Sequence, residues 1–403
     1  MKKILLILFS LSLTLFSAFF VSSCASNSNE HPHTLQYVAK TEATCSTNGN
    51  VEHYHCPTCN KNFKDEKGNK EILNVVEFAT RQHEIKNGVC SVCSKPASKY
   101  LTYSEMPDGT CSVSMDTFNE TELIISDVYN GKPVTTIYAD GFSNSSSLTC
   151  IIIPDSVTYI DGTFVYCLNL TDIIVSKNNK IYCSIDGNLY TKDTRTLIQY
   201  SCGKPDNTFN IPDSVTSIEP NALFFCSNLT NIIVGDNNTS FCSIDGNLYT
   251  KNKHTLIQYA IGKTEKTFII PDSVTLIKEL ALFLSKNLTS ITMPDSVMII
   301  ESMAFAYCNN LSEIKVSNNL TIIDEYAFAY CSSLTKITIP YNVVTIGKLA
   351  FEGCDNLTSV TFGNPSGWET ENVDFEPTDL ADTSIASKYL TDNYCTETWT
   401  KVN

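Results

Sequence analysis

The sequence predicts a β-rich solenoid with short helical turns and hairpin inserts, preceded by a small Cys/His module. Three observations carry this prediction. The phrase Pro-Asp-Ser-Val recurs with its proline at 154, 212, 271 and 294, and the pattern F-x2-C-x2-L recurs in the same register. The block 183–190 returns almost unchanged as 242–249. Five of the six histidines and two CxxC motifs lie before residue 97. Self-similarity at a fixed period indicates a repeat architecture.

Composition limits the classes of function that the chain can have. It has 403 residues, of which 28 are Lys or Arg and 43 are Asp or Glu, for a formal net charge of -15. An acidic chain without a basic block repels phosphate backbones, so no nucleic acid is expected as a partner. With 18% charged residues overall, the chain is too polar to be a bundle of membrane helices.

Residues 1–23 are predicted to be a lipoprotein signal peptide. Lys2 and Lys3 precede an apolar run and then small residues, which is the layout of a secretory signal. The end, Val21-Ser22-Ser23-Cys24, resembles the lipobox of bacterial lipoproteins. That resemblance implies lipidation of Cys24, a flexible tether over 24–30, and export to a surface-exposed, lipid-anchored position on the bacterial cell envelope. An ordinary secretory signal with an accidental Cys24 is the alternative.

Residues 31–96 form a Cys/His-rich module with CxxC pairs at 56–59 and 90–93. Such a pair places two thiolates about one tight turn apart, which suits two vertices of a zinc tetrahedron. A small module with few large apolar groups needs a staple, and structural zinc, disulfides and unpaired thiols all stay open. The pattern also resembles small modules found in front of bacterial surface repeats. This resemblance implies one metal site formed by His33, Cys45, Cys56 and Cys59, and an incomplete second site with His83, Cys90 and Cys93.

The repeats are expected over 147–362, between caps at 97–146 and 363–403. Within each, Leu-Thr-x-Ile-x-Ile-Pro alternates and is β-branched, which favours a strand that the proline ends. A second short strand, Val-Thr-x-Ile, precedes a helical turn carrying Ala-Phe and Cys. One coil cannot bury its apolar side alone, so nine coils are expected to stack. The duplicated block, with its Asp-Gly turns, predicts a small meander inserted at two of the coils.

Five cysteines recur beside the core Phe and Leu of the repeat. Because Ser285 replaces one without breaking the register, we interpret the others as small buried hydrophobes without redox or metal chemistry. These cysteines are Cys167, Cys226, Cys308, Cys331 and Cys354.

The repeated ladders resemble the BspA-like leucine-rich repeat family of bacterial surface proteins. The resemblance covers about residues 97–403, including the segment after the last repeat. It implies a leucine-rich-repeat solenoid that adheres to host proteins or to other cells. The array contains only one histidine, His254, and no nucleophile elbow, so no enzyme is expected.

The two x positions of Leu-Thr-x-Ile-x-Ile point away from the core, and stacked coils should display them as columns. The early coils carry an outward isoleucine, which marks a contact surface if it is exposed. The alternative is that the inserts bury Ile174 and Ile233. An extracellular or cell-surface protein or glycan is the expected ligand, and a structural or glycan-binding envelope protein without a host partner is the alternative function. The candidate binding residues are Ile152, Asp172, Ile174, Asn231, Ile233, Glu313, Lys315 and Lys336.

Overall fold

The computed structural model describes residues 34–40, 49–72, 76–77, 84–91, 93–99, 101–114, 120–142, 145–162, 164 and 166–402. The predicted leader and tether, with Cys24, lie outside the described residues, as do His33, Cys45 and His83. The chain divides into two compact units, Met1–Gln82 and His83–Asn403. The predicted end of the module at residue 96 differs from this division.

The first unit is a small antiparallel β structure. Leu35, Cys56 and Phe63 are its buried apolar residues, with Tyr54 and Cys59 packed beside them. So small a core stabilises a fold only weakly, which is why the module was expected to need a covalent or metal staple. Its four-stranded sheet runs in the order Gln36–Val38, His53–Cys56, Lys61–Phe63, Glu71–Ile72, and Gly49–Asn50 pairs with Val76–Glu77.

The second unit is a β-solenoid, as the sequence predicts. Each coil contributes one parallel strand to what we call the face sheet, and successive strands are 23 residues apart where no insert intervenes. Ten strands occupy this face, one more than expected, because Glu122–Ile124 pairs with Cys150–Ile153 although it lacks the repeat phrase. The ten strands are Glu122–Ile124, Cys150–Ile153, Asp172–Val175, Thr208–Ile211, Asn231–Val234, Thr267–Ile269, Ser290–Thr292, Glu313–Lys315, Lys336–Ile339 and Ser359–Phe362.

A back sheet is formed by the second short strand of each coil, where Val-Thr-x-Ile was expected. Parallel pairing runs through this sheet from coil to coil, for example between Leu276–Ile277 and Ile299–Ile300. Its strands within the repeats are Tyr159–Asp161, Ser217–Ile218, Leu276–Ile277, Ile299–Ile300, Ile322–Ile323 and Thr345–Ile346. At the amino-terminal end it continues through Thr102–Glu105, Cys111–Ser114, Val128–Tyr129 and Lys132–Tyr138, followed by a 3-10 turn at Ala139–Phe142.

Both inserts are three-stranded antiparallel meanders, and the third strand of each joins the back sheet in parallel. The two copies use the same anchoring contact. The buried Asn179 donates to the carbonyls of Pro154 and Val157, and Asn238 does the same to Pro212 and Val215. The insert strands are Tyr182–Ile185, Asn188–Thr191 and Thr196–Gln199, then Phe241–Ile244, Asn247–Thr250 and Thr255–Gln258.

The third side of each coil is a tight turn that carries the core phenylalanine. Phe305, Phe328 and Phe351 are fully buried, and their rings stack with centroids 5.0 and 5.4 Å apart. This arrangement confirms the predicted coil register. A column of asparagines runs beside the rings, and each side-chain amide donates to a carbonyl of the preceding layer, as Asn310 does to Lys286 and Asn356 to Ser332.

The last coil is covered by the segment after the repeats. Trp399–Lys401 pairs antiparallel with Thr345–Ile346, and Trp368–Glu369 pairs with Trp399–Lys401 on its other side. Because the pairing turns antiparallel there, the parallel stack ends at this strand, and both indoles are buried. Two short helices, Pro377–Ala381 and Thr383–Lys388, and a π-helical turn at Tyr389–Asn393 complete the segment. Within the described part of the chain, no helix has the length and apolar character needed to cross a membrane.

Candidate binding face

Two columns of side chains point outward from the face sheet. The register places Cys150 opposite Asp172 in the first column, and Ile152 opposite Ile174 in the second. The first column continues through Thr208, Asn231, Thr267, Ser290, Glu313, Lys336 and Ser359. The second continues through Asn210, Ile233, Ile269, Thr292, Lys315, Thr338 and Thr361. All eight sequence-predicted binding residues therefore lie in these two columns.

Exposure divides the second column into a closed and an open part. Ile152 and Ile174 are buried, as is their strand neighbour Ile124, although none of the three belongs to the interior core of these coils. The expected exposed isoleucine column is therefore wrong for Ile152 and Ile174. By contrast, Ile233 is 41% exposed and Ile269 is 73% exposed. The alternative that an insert buries Ile233 is wrong as well.

A short hairpin, Ile85–Lys86 with Val89–Cys90, accounts for the closed part. It belongs to the same compact unit as the solenoid, and its Ile85 and Cys90 are buried although the hairpin itself is too small to bury them. We infer that these side chains pack on the outward isoleucines of the first three face strands.

Polar contacts fix this hairpin at both ends of the covered strands. The backbone N–H groups of Asn87 and Gly88 donate to the carboxylate of Asp127, at 3.2 and 3.0 Å. On the amino-terminal side, Lys95 forms an ion pair with Glu122 that raises the pKa of the lysine. Ser98 exchanges hydrogen bonds with the backbone of Ile124, along the edge of the first strand.

The open part of the face runs from Thr208 to Thr361 and changes character along its length. Its first half presents Ile233 and Ile269, and its second half presents the exposed charges of Glu313, Lys315 and Lys336. The sequence reasoning missed Ile269 because its strand, Thr-Phe-Ile, departs from the Leu-Thr-x-Ile phrase. The 23-residue offset from Thr292 would have identified it.

The two CxxC motifs fold into the same tight turn, one in each unit. The N–H of Asn60 donates to the carbonyl of Cys56, and the N–H of Ser94 donates to that of Cys90, both at 2.8 Å. Asn60 and Ser94 are left-handed, with φ of 57° and 60°. Burial raises the pKa of Cys59, and the neighbouring Cys56 thiol also raises it. Each turn thus fits two vertices of a zinc tetrahedron, although no group of three or more potential ligands occurs within the described residues.

Four of the ladder cysteines have a shared structural role. The thiols of Cys308, Cys331 and Cys354 each donate to the carbonyl of the core residue one coil earlier, at 3.1–3.2 Å, and Cys167 donates likewise to Phe142. Burial raises the pKa of Cys308 and of Cys354 to about 12 and that of Cys167 to about 11. Nucleophilic and metal chemistry require the thiolate, which these sites disfavour.

The fifth ladder cysteine departs from this interpretation. Cys226 forms a disulfide with Cys202, which lies in the segment that follows the first insert. The equivalent positions after the second insert, 59 residues later, are Ile261 and Ser285. Both cysteines are therefore replaced together in the second copy, and this joint replacement was a signal in the sequence.

Comparison with known proteins identifies the repeat. The family described as "BspA type Leucine rich repeat region" matches in 6 copies, over residues 71–192, 198–265 and 258–367. No functionally curated protein matches the chain.

Solved structures of several bacterial proteins share the fold. The pneumococcal vaccine antigen PcpA is 19% identical, with 67% of this chain and 82% of that chain covered and a TM-score of 0.43. A leucine-rich cell surface protein from Faecalibacterium prausnitzii is 23% identical, with coverage of 66% and 87% and a TM-score of 0.41. A leucine-rich repeat protein from Bacteroides capillosus is 36% identical, over 26% of this chain and 85% of that chain, with a TM-score of 0.25.

Proposed function

This chain belongs to the BspA-type leucine-rich repeat family, and on that premise we propose that it is a cell-surface adhesion protein whose open face binds an extracellular protein. The observation that carries the proposal is the pair of exposed isoleucines, Ile233 and Ile269, on an ordered sheet. Exposed aliphatic side chains on a rigid face stabilise a complex when a partner removes them from water.

Two further features support a binding role over catalysis. His254, the only histidine of the repeats, is exposed in an insert turn, and the ladder thiols are buried. The charges of Glu313, Lys315 and Lys336 lie beside the apolar part of the face, where they can select a partner with complementary charges. Leucine-rich repeat proteins generally mediate protein interactions, and the family supplies no enzymatic precedent for this chain.

The experiment is a binding screen of the exported protein against extracellular-matrix proteins, followed by variants of the face. We expect Ile233→Ser/Ile269→Ser to weaken binding to the selected partner at least tenfold, because burying each isoleucine contributes about 1.5–3 kcal/mol. Met298→Ser is the matched control, since Met298 is 48% exposed and lies off the face. Equal losses for the two proteins would contradict the assignment of the face.

We further propose that Cys24 carries the lipid anchor. Intact-mass analysis of the membrane fraction should show loss of residues 1–23 and the added mass of acyl chains, which contribute about 0.8 kcal/mol per buried methylene to membrane binding. Cys24→Ala should be released from the membrane or retain its leader. A wild-type protein that is soluble and unacylated would exclude lipidation.

Zinc in the amino-terminal module is the third part of the proposal. The CxxC turn at Cys56 and Cys59 supplies two ligands, with His33 and Cys45 as the other expected members of the site. Elemental analysis of the exported protein should find zinc, and Cys56→Ser should lower the zinc content, because a three-ligand structural site binds the metal more weakly. Metal-free protein without reactive thiols in this module would instead indicate disulfides.

A further inference from the structure

A cleft opens on the turn side of the solenoid, next to the first insert and away from the face sheet. It has an empty volume of about 210 Å³, and its lining includes Tyr166, Leu168, Gln199, Tyr200 and Phe224. Tyr166 and Leu168 are 43% and 49% exposed and form its rim, while Gln199 and Tyr200 are buried. No residue of this lining is charged, although the chain has a net charge of -15.

The amide of Gln199 lacks one of its hydrogen bonds. Its Nε2 donates to the carbonyl oxygen of Tyr200 at 2.9 Å. Its Oε1 is buried and accepts no hydrogen bond from any residue that the structure describes. Flipping the amide would place two oxygens against each other, so the orientation is fixed by the Tyr200 carbonyl. A buried acceptor without a donor is costly, and a ligand that supplies the donor gains affinity at this position.

Aromatic rings surround this acceptor. Tyr166 contacts Phe225, with centroids 4.4 Å apart, and Phe224 contacts Phe283 at 4.6 Å. The rings of Tyr166 and Phe224 therefore form a continuous aromatic wall that is held from the next layer. An aromatic face carries partial negative charge and attracts the weakly positive C–H groups of a saturated ring.

A second cleft at the equivalent position has lost the unsatisfied group. It lies 59 residues later in the sequence, has an empty volume of about 220 Å³, and is lined by Phe225, Gln258 and Phe283, among others. Gln258 donates both to Tyr259 and to Ala281. Phe225 replaces Tyr166, so the rim has no hydroxyl group there. The two clefts thus share their architecture but differ in their polar groups.

We propose that the first cleft binds a neutral saccharide unit, with one hydroxyl donating to Gln199 Oε1 and an apolar sugar face against Tyr166 and Phe224. A hydroxyl can donate to the amide while it accepts from a tyrosine, and a saccharide presents such groups on a saturated ring. The uncharged lining selects against charged ligands, and binding pockets commonly combine an apolar lining with few polar groups. This site is independent of the protein-binding face.

The test is calorimetric titration of the exported protein with cellohexaose, maltohexaose and chitohexaose. We expect one of them to bind saturably with one saccharide per chain, and Gln199→Met to weaken that binding at least tenfold. Gln258→Met is the matched control in the second cleft and should change the affinity less than twofold. Tyr166→Asn provides a second variant, because asparagine tolerates the left-handed conformation of that residue (φ 63°), and it should also weaken binding.

Three outcomes would overturn the saccharide proposal. The first is that none of the three hexasaccharides binds saturably. The second is that Gln199→Met and Gln258→Met, both with wild-type unfolding midpoints, have equal effects. The third is that Gln199→Met and Tyr166→Asn abolish binding to a matrix protein and leave saccharide binding unchanged, which would assign the cleft to a protein ligand. Failure of the proposed adhesion function is distinguishable, because Ile233→Ser/Ile269→Ser should leave saccharide binding intact.

Discussion

Phe328→Ala is expected to lower the free energy of unfolding of the solenoid by about 3–5 kcal/mol, the usual cost of truncating a fully buried phenylalanine. Its ring lies between those of Phe305 and Phe351, which stack on it at 5.0 and 5.4 Å. Removing it leaves a cavity that both neighbouring coils border. Since solenoid stability is a sum of repeat and interface terms, the loss should spread to these coils and spare the amino-terminal unit.

Lys336→Ala is the control, one repeat position later but exposed in an outward column. It should change the free energy of unfolding by about 0.5 kcal/mol or less. The measurement is denaturant unfolding of both variants of the exported protein, with hydrogen exchange to locate the destabilised coils. Equal losses would show that the assignment of inward and outward positions is wrong.

Local periodicity predicted the parts of the fold that depend on neighbouring coils. A residue such as Phe328 meets the same residue of the next coil, so its environment can be read from the repeat itself. The same logic identified the inserts, because each copy satisfies its own strands and anchors itself through one buried asparagine. It also placed the outward columns correctly.

The exposure of those columns could not be predicted from the repeat. Ile152 and Ile233 occupy the same kind of position in similar strands, yet only Ile233 is exposed. The difference comes from residues 84–98, which precede the repeats and lack their pattern. Whether such a segment lies on one part of the face depends on contacts such as Asn87 with Asp127 and Lys95 with Glu122, which have no periodic signature. For the same reason the face strand Glu122–Ile124 was assigned to a cap.

The largest remaining effect is expected from the disulfide between Cys202 and Cys226. It closes a loop with a sequence separation of 24 residues, and a cross-link of this length constrains the unfolded chain by about 3 kcal/mol. Cys202→Ser/Cys226→Ser should therefore lower the free energy of unfolding of the surrounding coils by about this amount. Reductant should destabilise the wild type equally and have no such effect on the double variant.

The second insert supplies the matched comparison. Ile261 and Ser285 occupy the equivalent positions, so Ile261→Cys/Ser285→Cys should acquire a second disulfide in the exported protein, detectable by non-reducing peptide mapping. Ser285→Cys alone should remain a thiol, since its would-be partner is then isoleucine. This pair of variants separates the geometry of the coil from the presence of cysteine. A wild type that is insensitive to reductant, together with an Ile261→Cys/Ser285→Cys protein that does not cross-link, would show that the two segments do not meet as they do here. The cross-link would then be replaced by two buried thiols of the kind seen at Cys308 and Cys331.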